Sequence, residues 1–206
     1  MCGGLPRTDE PKMTIEKLVR WWPPVGLTIT ALLGLAVGRS STPVDDVFQQ
    51  TGRATEPYSG LLLFFTDPRV IAVMWLIVLG ITLWRKQWRL AAVIALCPQV
   101  AVLVERGVKP LFGRHKGGAL AYPSGHTALM VTVLGLIVVA AGAVLWSRIL
   151  AGTFVTLGML GQSMTYHYFT DTVGALLFGS SLVCVAALAA GVVPALGGKR
   201  LHTSST

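Results

Sequence analysis

Charge is scarce in this sequence, and negative charge scarcest. Charged residues make up 13% of 206 positions, with nine Asp and Glu against 17 Lys and Arg. An ordinary soluble domain carries roughly twice that charged share. With 53% hydrophobic residues and a mean hydropathy of +0.65, the chain lacks the polar surface that a water-soluble fold needs, which excludes that class. Cysteine is sparse as well. Cys2, Cys97 and Cys184 are scattered, the last two inside apolar runs, so no disulfide framework and no metal-ligand spacing is visible. Residues 1–20 hold Arg7, Lys12, Lys17 and Arg20 but no apolar stretch ahead of the first long run, which argues against a cleaved signal peptide. Cys2 is at most a weak candidate for lipid attachment. The net charge of +8 does not mark a nucleic-acid binder, because the basic residues lie between apolar runs, where membrane-flanking charge belongs.

What is abundant is apolar sequence in helix-length runs, not the alternating ten-residue segments of a membrane barrel. The expected fold is all-α: one membrane domain over 1–206, with a cytoplasmic N-terminal segment at 1–20, a six-helix bundle at 21–195 and a tail at 196–206. The first span starts at Trp21-Trp22-Pro23-Pro24 and ends near Gly38, with Gly34 and Gly38 as a small-residue packing pair. A loop follows at 39–66, with a short interfacial helix at Leu61–Phe65. Asp67-Pro68 caps the second span, which ends at Trp84; the third runs from Leu90 to about Val104 and contains Pro98, expected to kink it. Glu105 to Tyr122 reads as a polar, Gly-rich loop. The fourth span is predicted from Ser124 to Trp146, the fifth from Ile149 to about Tyr166, and the sixth from Asp171 to near Pro194, with Ser147-Arg148 as a turn. Six spans put ten Lys and Arg on the side of the termini and seven on the other. If three of those seven serve an anion site, ten against four favours cytoplasmic termini. The third and fifth loops share one side in either orientation.

Those two loops carry the candidate chemistry. Tyr122-Pro123-Ser124-Gly125-His126 is a turn that becomes a helix, with Ser124 suited to the N-cap and His126 in the first turn. A helix N-terminus offers unpaired N–H groups and partial positive charge to an anion such as phosphate. His167 and Asp171 are four apart, close enough for the carboxylate to fix the imidazole tautomer and leave the other nitrogen free to attack. Asp171 can equally cap the sixth helix. His126 supplies a proton donor for a leaving oxygen, and Lys109, Arg114 and Lys116 supply positive charge for a phosphoryl group. This scheme calls for no metal and no cofactor.

At these residues the chain resembles the type-2 phosphatidic acid phosphatase superfamily, which includes lipid phosphate phosphatases and bacterial prenyl diphosphate phosphatases. Tyr122 to His126 matches its P-S-G-H motif and His167-Tyr168-Phe169-Thr170-Asp171 its H-x-x-x-D. The stretch from Lys109 to Gly117 is similar to its K-x6-R-P, with Lys116 where Arg is expected and Gly117 where Pro is expected. Leu160-Gly161 stand where the third motif opens with Ser-Arg. The resemblance implies an integral membrane phosphatase in which His167 attacks phosphorus, His126 protonates the leaving group and Asp171 holds His167. It also implies that Lys109, Lys116 and Arg114, with the Ser124 hydroxyl and the Gly125 N–H, bind the phosphoryl oxygens. Arg106 or Arg114 is the candidate to replace the missing Arg. The expected partners are a lipid phosphate substrate, polyprenyl diphosphate ahead of phosphatidate, and membrane lipids, with the site on the non-cytoplasmic side. Two alternatives differ in class: a catalytically degenerate lipid-phosphate binder or transporter, suggested by the missing Arg, and a vanadate-dependent peroxidase, which shares the site pattern but against which the expected membrane spans and the lack of an added domain count.

Overall fold

The computed structural model describes residues 10–193; Cys2, the end of the sixth span at Pro194 and the tail from 196 lie outside them. The fold is helical: α1 (Glu10–Val37), α2 (Pro43–Ala54), α3 (Tyr58–Leu61), a 3-10 turn (Leu62–Thr66), α4 (Pro68–Trp84), α5 (Trp88–Phe112), α6 (Gly125–Ala140), α7 (Leu145–Met164) and α8 (Phe169–Ala190). Between α5 and α6 lies a two-stranded antiparallel hairpin, β1 (His115–Lys116) and β2 (Ala119–Leu120). Among the described residues, four helical stretches are long and apolar enough to cross a membrane: Ile15–Val37, Tyr58–Trp84, Trp88–Phe112 and Phe169–Ala190. α6 is apolar but has only 16 residues, about 24 Å of helix against a hydrocarbon core of about 30 Å.

Several boundaries differ from those expected. α1 begins at Glu10 and carries Pro23 and Pro24 in its interior, because the onset of apolar sequence marks a change of surroundings, not the start of helical backbone. Gly34 packs as predicted, against Phe112 and Tyr122, whereas Gly38 faces open space at φ +62° and turns the chain out of α1. The 39–66 loop contains a full helix, α2, whose Thr42–Asp45 capping box and Pro43 at the first position are a local start signal that hydropathy does not register. α5 continues past Val104 to Phe112, ending at Gly113 in the left-handed conformation, so Lys109 sits on a helix. The fourth span ends at Ala140, with Gly142 at φ +73° and Ala143 at φ +55° making the turn. Ser147 and Arg148 accordingly lie in α7, since an apolar turn is invisible to a hydropathy reading. Asp67 and Ser124 cap α4 and α6 as predicted, accepting from the Arg69 and Thr127 amides.

α8 is the central element, packed against α1, α5, α6 and α7. One apolar cluster joins Val78, Leu90, Ile94, Leu136 and Ala187; a second joins Ile71, Met130, Val133 and Leu134. Trp22 donates to Ser180 at 2.9 Å and Thr30 to the Gly174 carbonyl at 3.4 Å, tying α1 to α8. Outward faces remain apolar, as at Leu35, Leu76 and Leu103, and Trp84, Trp88 and Trp146 are exposed at helix ends. That inversion of the soluble pattern suits a hydrocarbon surround with interfacial aromatic anchors. The opposite ends of the helices, reached through α2, the β1–β2 hairpin and the α7–α8 turn, meet in one place.

Candidate active site

Three local devices build the site. Gly113 stops α5, and Gly117 and Gly118, at φ +59° and +82°, form the two-residue turn of the hairpin, a conformation that consecutive glycines adopt without strain. The hairpin swings Lys116 back across the α7–α8 turn, where its Nζ donates to the carbonyls of Thr165 at 3.1 Å and His167 at 2.7 Å. One ammonium N–H remains for a ligand. Lys116 lies over the Tyr168 ring at 5.0 Å.

His126 on the first turn of α6 and His167 before α8 face each other with ring centroids 6.5 Å apart. Both line a cavity of about 740 Å³ together with Lys109, Lys116, Arg106, Glu105 and Gly125, and with apolar Val102, Leu120 and Leu129. Its size and mixed lining are those of small-ligand sites. Of the residues expected to act together, the structure brings His126, His167, Lys109, Lys116 and Gly125 to this cavity. Asp171 stands behind His167, fully buried.

The predicted His167–Asp171 hydrogen bond is open. Nδ1 and Oδ2 are 3.7 Å apart, and His167 Nδ1 is buried without a partner, beyond hydrogen-bond range but a movement of about 0.7 Å from it. Catalytic hydrogen bonds are often this long before a substrate enters. Asp171 is not the N-cap of α8; it is the third helical residue, and its Oδ2 accepts from the Tyr168 N–H at 3.0 Å.

Arg114 departs from its expected place. Its side chain is 0% exposed and Nη1 donates to Thr170 Oγ1 at 2.6 Å and Asp171 Oδ1 at 2.9 Å, while Nη2 donates to the Ser40 carbonyl at 2.9 Å and Asp45 Oδ2 at 2.7 Å. With two carboxylates claimed, this guanidinium is a bridge inside the protein and not an arm for substrate phosphate. Ser124 is likewise withdrawn: its buried hydroxyl caps α6 and donates to Thr127 Oγ1 at 3.1 Å. Gly161 is closed to any side chain, since a Cβ there would lie 2.7 Å from the Leu62 carbonyl carbon. Of the two candidates to replace an Arg at that position, Arg106 lines the cavity and Arg114 does not.

Sequence reading missed four residues. Asp45, on α2, accepts from Thr42, Arg114 and both the amide and hydroxyl of Thr170. Burial alone would raise its pKa, but those N–H and hydroxyl donors and Arg114 outweigh burial and hold it below the ordinary value, so it stays a carboxylate. Gln49 donates to the His167 carbonyl at 3.1 Å. Thr170 joins the Arg114 network, and Glu105 pairs with Lys109 at 2.6 Å. The Thr42-x-x-Asp45 capping box was the one legible signal, and it marks a helix, not a contact.

Burial is the main cause that lowers the Lys116 pKa to about 8; Asp171 and Asp45 pull it back up and Arg114 pushes it further down. Its positive charge is therefore half lost at about pH 8 and complete only well below it. The unfolded chain would hold that proton up to its ordinary value of 10.5, so between these values the unfolded state binds more protons. Raising the pH through that window thus favours folding while it removes charge from the cavity.

Comparison with protein-family models, with curated proteins and with solved structures gives no match in any of the three.

Proposed function

We propose that this protein is an integral membrane lipid phosphatase that hydrolyses a phosphate or diphosphate ester of a lipid through a phosphohistidine. Six helices, α1 and α4 to α8, would span the bilayer, with the cavity at the non-cytoplasmic interface. The reading rests on one observation above the rest: two histidine rings, one on α6 and one in the α7–α8 turn, lie 6.5 Å apart in a cavity that Lys109 and Lys116 also line. The type-2 phosphatidic acid phosphatase resemblance of their motifs assigns the same pair.

In this scheme the phosphoryl group lies between the rings, its oxygens toward Lys109, Lys116, Arg106 and the Gly125 N–H. The unprotonated nitrogen of His167 attacks the terminal phosphorus, a P–N bond forms, and the P–O bond to the leaving group, the lipid alcohol of a monoester or the lipid monophosphate of a diphosphate, breaks as His126 passes its proton to the leaving oxygen. Water, deprotonated by His126, then attacks phosphorus and the P–N bond breaks, releasing phosphate and restoring both histidines. Val102, Leu120 and Leu129 suit the first part of an apolar chain, so a lipid substrate fits better than a soluble phosphate ester. Polyprenyl diphosphate is favoured over phosphatidate.

The test is phosphate release from each lipid, in detergent with EDTA. Release that persists with the chelator supports the metal-free scheme; dependence on added metal would contradict it. Asp171→Asn should lower turnover by about two to four orders of magnitude through the wrong imidazole tautomer, and full activity would remove Asp171 from the mechanism. Lys116→Arg should extend the alkaline limb of the pH–rate profile, because Arg keeps its charge where Lys116 loses it near pH 8. An unchanged limb would show that another group sets it. The second reading, a lipid-phosphate binder without turnover, draws on Gly161 standing where an Arg would be expected, and it predicts binding with no release.

A further inference from the structure

Glu105 is the only acidic side chain among the described residues that line the cavity. A Glu four residues before a Lys on a helix is ordinarily a solvated surface pair of little consequence. Here the Glu105 side chain is 5% exposed and Lys109 18%, at 2.6 Å from each other. The carboxylate also abuts the first residue of α6: a Cβ on Gly125 would lie 2.9 Å from Glu105 Oε1 and 3.1 Å from its Cδ. For all its closeness to Lys109, Oε1 has no hydrogen bond of acceptable direction. Gly125 and His126 open the helix, so their N–H groups have no acceptor within it. A buried carboxylate, paired with Lys109, thus already stands where Lys109 and the α6 N-terminus converge.

We propose that Glu105 is an internal competitor for the phosphoryl group, a specificity-determining residue that holds Lys109 beside the α6 N-terminus in the empty site and yields it to substrate. This rests on reading the cavity as a phosphoryl-transfer site. A lipid-linked phosphate brings apolar burial of its chain to offset the displacement. Free phosphate brings none, so Glu105 weakens the hold on tail-less anions, the inorganic product among them.

The experiment is calorimetric titration of inorganic phosphate into the full chain in detergent, below pH 8, for wild type, Glu105→Gln and Glu105→Ala. Each variant is also combined with Lys109→Met, and folding is checked by thermal unfolding. Removing a negative charge beside a bound anion is expected to tighten phosphate binding by about tenfold or more in both Glu105 variants, and Lys109→Met should cancel most of that gain. Unchanged or weaker binding in folded Glu105→Gln and Glu105→Ala overturns the proposal. If wild type also turns over lipid phosphate, the phosphatase reading survives that failure. Phosphate binding by no variant, with no lipid turnover, overturns both. Because the readout is binding, tightening supports the role of Glu105 even in a protein that does not turn over.

Discussion

His167→Ala is expected to reduce phosphate release from either lipid by about 10⁴-fold or more, the scale on which removing a covalent nucleophile acts. The structure makes this substitution a clean one. The main chain of His167 carries the local architecture: its N–H donates to the Gln162 carbonyl at 2.9 Å, and its own carbonyl accepts from Lys116 and Gln49. Among the described residues the ring makes no hydrogen bond: Nδ1 is without a partner and stands 3.7 Å from Asp171. Truncation to Ala therefore removes the reactive nitrogen while leaving Lys116, Gln49 and the α8 N-terminus in place. The comparison is phosphate release by wild type and variant at matched folded fraction. Retention of more than a tenth of the activity would exclude His167 as nucleophile.

The second large effect is on stability. Arg114→Met should destabilise the fold by about 3–5 kcal/mol, because it strands the carboxylates of Asp45 and Asp171 in a region closed to water. Both are 0% exposed, as is Arg114, and neither can regain solvent without α2 or α8 moving. Activity should fall in parallel, since Asp171 stands behind His167. Asp45→Asn should cost less, about 1–3 kcal/mol, because the amide oxygen still accepts from donors that would otherwise be orphaned. Thermal unfolding in detergent orders the three proteins as wild type, Asp45→Asn, then Arg114→Met. An Arg114→Met protein as heat-resistant as wild type would mean that the buried carboxylates do not depend on the guanidinium.

The Arg114 network also explains what the segment between α1 and α4 contributes. Asp45 and Gln49 reach from α2 to Arg114, Thr170 and the His167 carbonyl. Phe48 stacks on Phe169 with centroids 4.3 Å apart. α2 is thereby a brace against the α7–α8 turn, holding the histidine that the chemistry would use.

The helical, membrane-compatible class, the caps at Asp67 and Ser124, the placing of His126 in a first helical turn and the chemical types gathered in two loops are all legible along the chain. Those features are local: apolar run length, cap residues and motif spacing act within a few neighbours along the chain. Boundaries failed where local hydropathy carries no signal, as at the apolar turn after Ala140 and along α2. Which charges face the cavity is set by how the helices pack. Arg114 and Lys116, two residues apart, look equivalent on paper, yet one is enclosed by Asp45 and Asp171, 69 and 57 positions away, and the other lines the cavity. Glu105 is surface-like by spacing and becomes part of the site only because α5 packs it against Gly125. A charged side chain's role follows from its counter-charges and its desolvation, and in this chain both are supplied by residues remote in sequence.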